Sequence, residues 1–585
     1  MSLNIIGISA FFHDSACCLL QDGVLKAAVE EERFSRIKAD PALPALSLNY
    51  CLEQAGITIT DIDCIAYYEN PQKKLERQLW SGVMGNEPGL FRKLRPHYVE
   101  EQIRRVMGYE GQIRFYEHHQ SHAASAFFFS GFAESALLTV DGVGEWATTT
   151  YGYGRGKDIK LFEEVQFPDS LGLLYSTITS YLGFGVNDGE YKVMGLAPYG
   201  QPLYTAQLWT MLEDGPGGQY RLNMSYFDFL TSQRMYSSLL EELFGRPARG
   251  EDEPMEQFHQ DLARSLQVVL EGMLLKKAIY LHDKTGSENL CMAGGVALNC
   301  VANGQVLRKG PFKQLFVQPA ANDAGTCMGA AALAHVELSG EAPVRQRIRH
   351  VYLGPCYPAK DIDRLLKSTS LHYKDHRGDP LSLVAATAER LARGKVIGWF
   401  QGRMEFGPRS LGARSILADP RNPTMRDRIN AMVKKREGFR PFAPAVLAHR
   451  CREHFDLDHD SPFMLETCEV VSPLDLPAIT HVDNSARVQT VEEGTSEKFF
   501  ALLMAFERLT GCPILLNTSF NIKGEPIVCT PEDALRCFIT TDIDCLVLED
   551  LIIDRDDNEL ELLQFILMND EVKPSGITHD VYTFV

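Results

Sequence analysis

A strand–loop–strand pattern that occurs twice limits the fold of this chain more than any other feature of its sequence. Short apolar runs bounded by Gly, Asp and Ser are typical of strands joined by tight turns. The strands are predicted over residues 5–9, 16–20 and 24–29 in the first copy and over residues 136–140, 148–153 and 159–165 in the second. Each copy therefore predicts a hairpin with a returning strand.

Helical segments separate the two copies, which predicts a duplicated α/β unit whose two lobes face each other across a cleft. This is the architecture of the actin and sugar-kinase superfamily. The chain has 585 residues, whereas a single hydrophobic core stops growing near about 250–300 residues. A polar stretch with glycine and proline around residues 339–347 marks the predicted boundary. The predicted fold class is α/β, with a two-lobed actin-like domain over residues 1–345 and a second mixed α/β domain over residues 346–585.

The composition argues against several classes of partner. The 58 basic and 77 acidic residues give a net charge of −19, which would repel the phosphate backbone of a nucleic acid. No uncharged apolar run reaches the roughly 20 residues of a membrane-spanning helix, and the first residues lack the positive charges of a signal peptide. The 14 cysteines form no C-x-x-C pair, which is typical of a reducing compartment. We expect a cytoplasmic protein that binds neither nucleic acid nor a membrane.

Four residues are candidates for holding a divalent metal ion. His118 and His122 stand four apart just before an apolar helical stretch at residues 123–129, so both imidazoles would project from one face of a helix. Asp141 ends a predicted strand and Asp323 begins a predicted helix. Two imidazoles with two carboxylates suit Fe, Mn or Zn, and the ligand types alone do not choose among them. The alternative is that the histidines cap the helix or pack beside it.

Glycine-rich turns between strands and helices form a second group of candidates. Such turns present backbone N–H groups and the positive end of a helix to phosphate oxygens. Here they would surround a nucleotide phosphate chain, although a glycine pair at such a place is usually only a tight turn. The candidate phosphate ligands are Gly142, Gly144, Gly295 and Asn322.

Further polar residues lie in loops that a two-lobed fold would bring towards the cleft. His13, in the loop of the first hairpin, is a candidate base or polariser for an attacking hydroxyl, and an exposed loop histidine with no role is the alternative. Asp188, Glu190 and Lys192 could line the same cleft, with a solvated loop as their alternative.

The predicted second domain contains a basic cluster. Residues 401–440 hold ten Lys or Arg and four Asp or Glu, in a chain whose net charge is −19. Arg409 and Arg414 stand beside glycine and proline turns, where arginine forks are suited to binding phosphate. The segment 425–436 has the pattern of an amphipathic helix, so Arg426, Arg428 and Lys435 are expected on its solvated face. Residues 517–521 follow a predicted strand and offer small side-chain donors to a phosphate-sized ligand.

Ten short phrases, spread in order over nearly the whole chain, are more specific than any single motif. They are FHDSA (12–16), EEERFSR (30–36), HHQSHAASAF (118–127), VDGVGEW (140–146), EYKVMGLAPYG (190–200), GGVALN (294–299), ANDAG (321–325), FGPRSLGARSI (406–416), REGFRPFAP (436–444) and NTSFN (517–521). Together these phrases resemble those of the NodU/CmcH-type O-carbamoyltransferases.

The resemblance implies a first domain like the tRNA threonylcarbamoyl-transfer protein of the actin-like superfamily, followed by a YrdC-like domain. In such enzymes the YrdC-like domain joins carbamoyl phosphate and ATP into carbamoyl-adenylate, with release of phosphate and pyrophosphate. The first domain then passes the carbamoyl group to a hydroxyl of a small-molecule natural product, such as an antibiotic. The implied cofactors are ATP and a divalent metal, Fe²⁺ in the first domain, with Mg²⁺ accompanying ATP. A homodimer is the candidate assembly.

The resemblance also implies roles for residues at matching motif positions. The metal ligands would be His118, His122, Asp141 and Asp323, and the acid–base group at the acceptor would be His13. The ligands of carbamoyl phosphate and ATP would be Arg409, Lys434, Arg440, Asn517 and Ser519, with Lys434 and Arg440 in catalytic roles. The adenylate contacts would be Gly142, Gly144, Gly295 and Asn322.

Two other functions share part of this pattern. A tRNA threonylcarbamoyl-type modification enzyme has both domain types, but a tRNA partner requires a broad basic surface, which the net charge of −19 opposes. A nucleotide-switched binding protein could use the cleft as a conformational switch, but the histidines and the basic cluster would then have no purpose. Salt-sensitive tRNA binding would favour the first function, and nucleotide-dependent partner binding without turnover would favour the second.

Overall fold

The structure is a computed structural model that describes residues 2–82, 95–232, 234–434 and 437–568. The chain divides into two compact units. The first consists of the described parts of residues 1–35 and 39–348, and the second of the described parts of residues 36–38 and 349–574. Within the described ranges, no helix is both long enough and apolar enough to cross a bilayer.

The first lobe of the first unit is built around a five-stranded sheet. Its elements, in chain order, are β1 (Asn4–Ser9), β2 (Ala16–Gln21), β3 (Val24–Glu30), α1 (Glu32–Ser35), α2 (Ala45–Ala55), β4 (Cys64–Tyr67), α3 (Pro71–Ser81), α4 (Tyr98–Met107), β5 (Gln112–Phe115) and α5 (His118–Phe127). Strand β1 is buried at every position, which is the pattern of a strand covered on both faces.

The second lobe has a sheet of the same size. Its elements are β6 (Glu134–Val140), β7 (Ala147–Arg155), β8 (Asp158–Gln166), α6 (Leu171–Tyr181), α7 (Glu190–Leu196), α8 (Thr205–Thr210), β9 (Leu212–Asp214), β10 (Tyr220–Leu222), α9 (Ser238–Phe244), α10 (Gln257–Thr285), β11 (Asn289–Ala293), α11 (Cys300–Lys309), β12 (Gln314–Val317) and α12 (Asp323–Ser339). Among the described residues, the short strands β9 and β10 pair with each other in a separate two-stranded sheet.

The two lobes share one sheet topology. The strand order is β3-β2-β1-β4-β5 in the first lobe and β8-β7-β6-β11-β12 in the second. In both sheets the first three strands are antiparallel neighbours, and the last two continue parallel to the central strand. The duplication predicted from the repeated hairpin is confirmed, and so is the two-lobed, actin-like class.

Each lobe sends its last helix onto the sheet of the other lobe. Helix α5 packs on β6, β7 and β11, whereas α12 packs on β1, β2 and β4, and the two helices pack against each other. A Cβ atom at Gly329 of α12 would lie 1.8 Å from the backbone oxygen of Ser121 in α5, so this crossing requires glycine. The first residues of the two helices, His118 and Asp323, lie 3.6 Å apart between Nε2 and Oδ1.

One helix of this unit begins later than predicted. The sequence indicates a helix from residue 296, but the chain forms a short 3₁₀ turn over Gly295–Leu298, and α11 begins at Cys300. The side chain of Asn299 accepts a hydrogen bond from the N–H of Ala302 at 3.0 Å. Because this cap satisfies an N–H of the first turn, it fixes the start of the helix at residue 300.

The second unit is a mixed α/β domain, as predicted, with an eight-stranded sheet in the order β13-β22-β21-β14-β15-β20-β16-β19. Its elements are α13 (Ala359–Lys367), β13 (Lys374–Asp375), α14 (Pro380–Ala392), β14 (Ile397–Phe400), β15 (Arg414–Ala418), α15 (Met425–Ile429), β16 (Ala443–Leu447), α16 (Cys451–His454), β17 (Cys468–Glu469), β18 (Ser485–Ala486), β19 (Gln489–Val491), α17 (Glu497–Thr510), β20 (Ile514–Ser519), α18 (Pro531–Thr540), β21 (Cys545–Leu548), β22 (Leu551–Asp554) and α19 (Glu561–Met568). The helix predicted over residues 425–436 ends at Ile429, and a π-helical turn follows over Asn430–Lys434.

Candidate functional site

The four residues predicted as metal ligands come from three elements of the first unit. Asp141 directly follows β6, His118 and His122 occupy the start of α5, and Asp323 is the first residue of α12. The spacing of four residues places both imidazoles on one face of α5. All four side chains are buried, and the crossing of α5 and α12 brings them together between the two lobes.

The ligand atoms of these residues converge on one point. Nε2 of His118 and Nε2 of His122 lie 2.9 and 3.1 Å from Oδ2 of Asp141, and 3.1 Å from each other. Oδ1 of Asp323 lies 3.6 and 3.7 Å from the same two nitrogens. Bonds of about 2.1 Å to a tetrahedral ion would separate its ligands by roughly 3.4 Å, which these distances bracket. The cluster could therefore hold a metal ion.

The chemistry of the donors agrees with this geometry. Oδ2 of Asp323 is buried and has no hydrogen-bond partner among the described residues. A buried carboxylate oxygen without a partner is costly, and a bound cation would offset that cost. Two imidazoles and two carboxylates are ligands of first-row divalent ions, and they do not select one ion from that series.

The protonation of the cluster is set by its own carboxylates. Burial alone would raise the pKa of Asp141, but hydrogen bonds from His118 and His122 hold that pKa well below its ordinary value. Burial opposes the charged form of His122, yet its hydrogen bonds and charge interactions with Asp141 and Asp323 raise its pKa to about 9. A cation bound by these ligands would therefore displace a proton from His122.

Glycines predicted as phosphate contacts lie around the cluster. The N–H of Gly295 donates to Oδ1 of Asp141 at 2.9 Å, which turns the other oxygen of that carboxylate towards the histidines. A Cβ atom at Gly144 would lie 3.2 Å from the Cβ of His118, so the β6–β7 loop approaches α5 closely. The geometry thus gives Gly295 a part in orienting a metal ligand, and contact of these glycines with a nucleotide stays a prediction.

Gly142 directly follows Asp141 in the chain, and Asn322 directly precedes Asp323. The carbonyl of Gly142 accepts a hydrogen bond from the hydroxyl of Ser170 at 2.7 Å. Asn322 immediately precedes α12, and its Oδ1 is buried without a hydrogen-bond partner in the described part of the chain. An unsatisfied amide oxygen next to a helix N-terminus is consistent with a polar ligand there.

His13 lies beside the cluster, in the loop between β1 and β2. Its Nδ1 is 2.9 Å from Oδ2 of Asp14 and 4.0 Å from Oδ2 of Asp323. Burial opposes the imidazolium form, but the carboxylates of Asp323 and Asp14 raise the pKa of His13 to about 9. At neutral pH the ring is then a hydrogen-bond donor, which suits a polarising role. A role as base would require a cation at Asp323 to offset the negative charge.

Of the three charged residues predicted to line the cleft, Glu190 and Lys192 contact neighbouring residues of the first unit. Glu190 accepts hydrogen bonds from the hydroxyl of Ser176 at 2.6 Å and from the N–H of Asn187 at 3.1 Å. The ammonium of Lys192 lies 5.6 Å from the ring centre of Phe184. Asp188, in the loop before α7, is half-buried.

In the second unit, the predicted ligands Asn517 and Ser519 lie along β20. Asn517 is buried, and its amide N–H group donates to Oε1 of Gln489 at 2.8 Å and to the carbonyl of Ser410 at 3.3 Å. Its Oδ1, and the hydroxyl of Ser410, are buried without a hydrogen-bond partner among the described residues. The hydroxyl of Ser519 donates to Oδ1 of Asn521 at 2.7 Å. These buried oxygens could accept hydrogen bonds from a ligand.

Two of the three cationic residues predicted as ligands in this unit, Arg409 and Arg440, have side chains among the described residues. Arg409 is half-buried at the turn that precedes β15. Arg440 is 17% exposed, with its Nη1 3.7 Å from Oε2 of Glu437. The side chain of Lys434 lies outside the described residues, so its proposed role rests on the sequence.

Arg414 differs from the expectation that it binds phosphate. Its guanidinium is fully buried and donates to the carbonyls of Gln401 and Ala413 at 3.0 and 3.1 Å, and to those of Pro355 and Gly402, both at 3.1 Å. Because four main-chain oxygens already surround this side chain, it holds the fold of the loops around β15.

Sequence reasoning also missed two polar residues close to these sites. Arg487 is half-buried, two residues before Gln489, and its Nε is buried without a partner among the described residues. Its guanidinium is a further candidate for binding an anion. Glu145 is buried and accepts hydrogen bonds from the N–H groups of Asn70 and His118. Burial raises the pKa of Glu145. Its only sequence signal is its place in the phrase at residues 140–146.

The fold and the site together define a two-lobed actin-like protein with a candidate metal centre and a second α/β unit. Family models identify it more closely: the model described as "Carbamoyltransferase N-terminus" matches residues 4–332, and "Carbamoyltransferase C-terminus" matches residues 388–555. The chain belongs to the carbamoyltransferase family and is a carbamoyltransferase, which implies a carbamoyl donor and a small-molecule acceptor.

The chain is also similar to individual known proteins. The chain is 46% identical to an uncharacterized protein of Synechocystis, over 94% of this chain and 96% of that one. It is 44% identical to the nodulation protein NolNO of Sinorhizobium fredii, over 94% of this chain and 80% of that protein. Among solved structures, HypF of T. kodakarensis matches with a TM-score of 0.32 and 13% identity, over 58% of this chain and 48% of that one.

Proposed function

We propose that this protein is an ATP-dependent O-carbamoyltransferase. Its second unit would form carbamoyl-adenylate, and its first unit would transfer the carbamoyl group to a hydroxyl. The observation that carries the proposal is the convergence of His118, His122, Asp141 and Asp323 on one point, in a chain of the carbamoyltransferase family. A cation at that point would lie beside glycine turns suited to the phosphate of an adenylate.

The activation step belongs to the second unit. Water would cleave carbamoyl phosphate into carbamate and phosphate. A carbamate oxygen would then attack the α-phosphorus of ATP, and pyrophosphate would leave with the electrons of the broken bond. The product is a mixed anhydride, so it transfers its acyl group readily because AMP is a good leaving group.

The groups proposed for this step match the charges of its substrates. We assign Arg409, Lys434 and Arg440 to the phosphates, because guanidinium and ammonium groups bind phosphate oxygens. Asn517 and Ser519 would contact the carbamoyl group. The unsatisfied Oδ1 of Asn517 supports this assignment, since a carbamoyl NH₂ is a donor that could satisfy it.

The transfer step belongs to the first unit. The acceptor hydroxyl would attack the carbamoyl carbon, the bond to the adenylate oxygen would break, and AMP would leave. His13 would polarise the acceptor or take its proton. Contacts to the adenylate would come from Gly142, Gly144, Gly295 and Asn322, and the cleft would also be lined by Asp188, Glu190 and Lys192.

Four residues of the first unit are proposed to hold a metal ion for the transfer step. The cluster of His118, His122, Asp141 and Asp323 would hold Fe²⁺, while Mg²⁺ would accompany ATP in the second unit. A metal ion held there would supply Lewis-acid chemistry for the negative charge of the leaving phosphate. The ligands themselves would fix the position of that charge relative to His13.

The acceptor is proposed to be a hydroxyl of a small-molecule natural product, such as an antibiotic. The net charge of −19 supports a small molecule over a nucleic acid. The same proposal includes domains at residues 1–345 and 346–585, a cytoplasmic location and a homodimer.

Two variants separate the two steps. Lys434→Ala should reduce carbamoyl-phosphate-dependent pyrophosphate release at least about 100-fold, a loss of the size seen when a charged transition-state contact is removed. His118→Ala should keep that release and lose transfer to the acceptor, because it removes a ligand of the other site. Pyrophosphate is followed by a coupled assay, and transfer by mass detection of a carbamoyl addition in a screen of hydroxyl compounds.

His119→Ala is the matched control for the second variant. His119 neighbours His118 in the chain, but its Nδ1 contacts the hydroxyl of Thr139 at 2.6 Å and it is not among the clustered ligands. This control should retain transfer. Full transfer activity in both Lys434→Ala and His118→Ala would refute the assignment of the two sites.

A further inference from the structure

Glu145 is a buried carboxylate that none of the proposed steps uses. It lies in the loop between β6 and β7, four residues after Asp141, and it is 4% exposed. No basic side chain among the described residues forms an ion pair with it. A carboxylate buried in this way is retained only where its hydrogen bonds compensate for lost hydration.

Both oxygens of Glu145 accept from main-chain N–H groups. Oε1 lies 2.6 Å from the nitrogen of Asn70 and 3.0 Å from that of His118, and Oε2 lies 3.1 Å from the nitrogen of His118. Helix α5 starts at His118, and its own N-cap residue, Glu117, provides no side-chain cap. Glu145 therefore caps the helix that carries two of the four clustered ligands.

We propose that Glu145 is a positioning residue of the candidate metal centre, and that it sets the affinity of the cluster for a divalent cation. This inference rests on the metal site of the proposed function. The six-residue loop between β6 and β7 contains both Asp141 and Glu145, and Glu145 binds the start of α5. The distance between Asp141 and the two histidines is thereby fixed by a single short loop. Groups that orient metal ligands in this way commonly change metal affinity by about 10–100-fold.

The contact requires both oxygens of a carboxylate. The amide of Glu145→Gln can take two orientations. If its oxygen takes the place of Oε1, its NH₂ group takes the place of Oε2 and faces the N–H of His118. In the flipped orientation, the NH₂ group faces the N–H groups of both Asn70 and His118. Two donors cannot share a hydrogen bond, so either orientation pushes the first residue of α5 away from the loop.

The chain offers a matched control in Glu31. Its Oε1 accepts from the N–H of Leu46 at 3.0 Å, and its Oε2 accepts from the N–H and hydroxyl of Ser47 at 2.8 and 2.7 Å. Like Glu145 it is 4% exposed and caps a helix start, here that of α2, which carries none of the clustered ligands. Glu31→Gln therefore reproduces the loss of a buried cap at a helix outside the metal centre.

The test measures Mn²⁺ binding to the full-length protein by chelator competition, together with thermal unfolding in the absence of metal. We expect Glu145→Gln to weaken Mn²⁺ binding roughly 10–100-fold. Glu31→Gln should bind Mn²⁺ within about twofold of wild type, although both variants should lose stability, since each removes a helix cap. A purely structural role of Glu145 would lower the unfolding temperature without this selective loss of affinity.

The outcomes are distinguishable. No Mn²⁺ binding by the wild-type protein would refute the metal site and, with it, the proposed function. Binding by the wild type with equal affinity in Glu145→Gln would overturn the role of Glu145 alone, as would equal weakening in both variants. If Glu145→Gln does not fold, Glu145→Asp replaces it, because the shorter side chain keeps the charge and should still weaken Mn²⁺ binding.

Discussion

Arg409 and Arg414 show that the role of an arginine cannot be predicted from its local sequence alone. Both stand in a glycine- and proline-rich phrase, and both were expected to bind phosphate. In the folded chain, Arg414 is enclosed by four carbonyl oxygens and its guanidinium lies 3.5 Å from the ring centre of Phe400. The type of residue and its local sequence do not reveal this difference, because it depends on where carbonyls from other segments come to lie.

The two arginines should respond differently to removal of their charge. Arg414→Met should lower the free energy of unfolding by about 3–5 kcal/mol, since it strips buried carbonyls of their donors. Arg409→Met should cost less stability than Arg414→Met, because Arg409 is only half-buried, and it should raise the KM for carbamoyl phosphate roughly tenfold or more. Urea unfolding and the pyrophosphate assay measure these effects, and equal stability costs for both variants would contradict the distinction.

The candidate metal ligands could be chosen from the sequence because their signal is local. His118 and His122 share one helix face, and Asp141 and Asp323 stand at a strand end and a helix start. Glu145 was missed, although it lies in the same phrase as Asp141. Its function depends on the position of an N–H group 27 residues away in the chain, and such a contact leaves no pattern in the sequence.

At the scale of elements, the crossing of α5 and α12 is the contact on which the cluster depends. A glycine to alanine change inside a helix usually stabilises by about 0.5–1 kcal/mol. At Gly329 the added methyl would meet the backbone oxygen of Ser121 at 1.8 Å, so the helices would have to separate. Gly329→Ala should therefore destabilise the first unit by about 1–3 kcal/mol or more.

Gly272 provides the control for that prediction. It lies in α10, and a Cβ atom there would meet nothing within 4 Å. Gly272→Ala should follow the usual trend and stabilise the protein by about 0.5–1 kcal/mol. Urea unfolding of both variants compares the signs of the two changes, and stabilisation by Gly329→Ala would show that the helices do not need this close approach.

Helix α10 also contains a buried lysine that should make stability depend on pH. Burial lowers the pKa of Lys277 from an ordinary value near 10.5 to about 7, although its ammonium donates to the hydroxyl of Tyr151 and the carbonyl of Gly218. Between pH 7 and 10.5 the unfolded chain therefore binds more protons at this site than the folded chain. By linkage, this site makes stability rise with pH across that window, by at most about 1.4 kcal/mol per pH unit.

Lys277→Met isolates this contribution, because methionine fills a similar volume without a titrating group. The slope of unfolding free energy against pH, measured in urea from pH 7 to 9, should be smaller in the variant than in the wild type. Identical slopes would mean that the two oxygen acceptors and the neighbouring rings keep Lys277 charged in the folded protein.

The elements themselves were predicted unevenly, for physical reasons. The strands predicted at residues 5–9 and 136–140 match β1 and β6, because central strands are short apolar runs with clear ends. The packing of α12 was not predictable, since its residues from Asp323 to His335 are all buried and show no polar face. A helix without an amphipathic pattern does not indicate which sheet it covers.

At the scale of the whole molecule, the duplication explains where the candidate site lies. Equivalent elements of the two lobes supply its parts: His13 and Asp141 lie in the loop after the first strand of each hairpin, and His118 and Asp323 begin the last helix of each lobe. The repeat in the sequence predicted two lobes. The exchange of helices α5 and α12 between the sheets, which brings those four positions together, became visible only in the structure.

The division of the chain into two units predicts how metal should affect unfolding. Each unit has its own buried core, and all four clustered ligands belong to the first. A ligand at 100 times its Kd stabilises the folded state by about 2.7 kcal/mol. Mn²⁺ at such an excess should therefore raise the unfolding temperature of the first unit by a few degrees and leave that of the second unchanged, when both transitions are followed by calorimetry.

Asp323→Asn should remove the shift, since it deletes a ligand without changing the size of the side chain. A shift shared by both transitions, or one that persists in Asp323→Asn, would place the bound ion elsewhere in the protein.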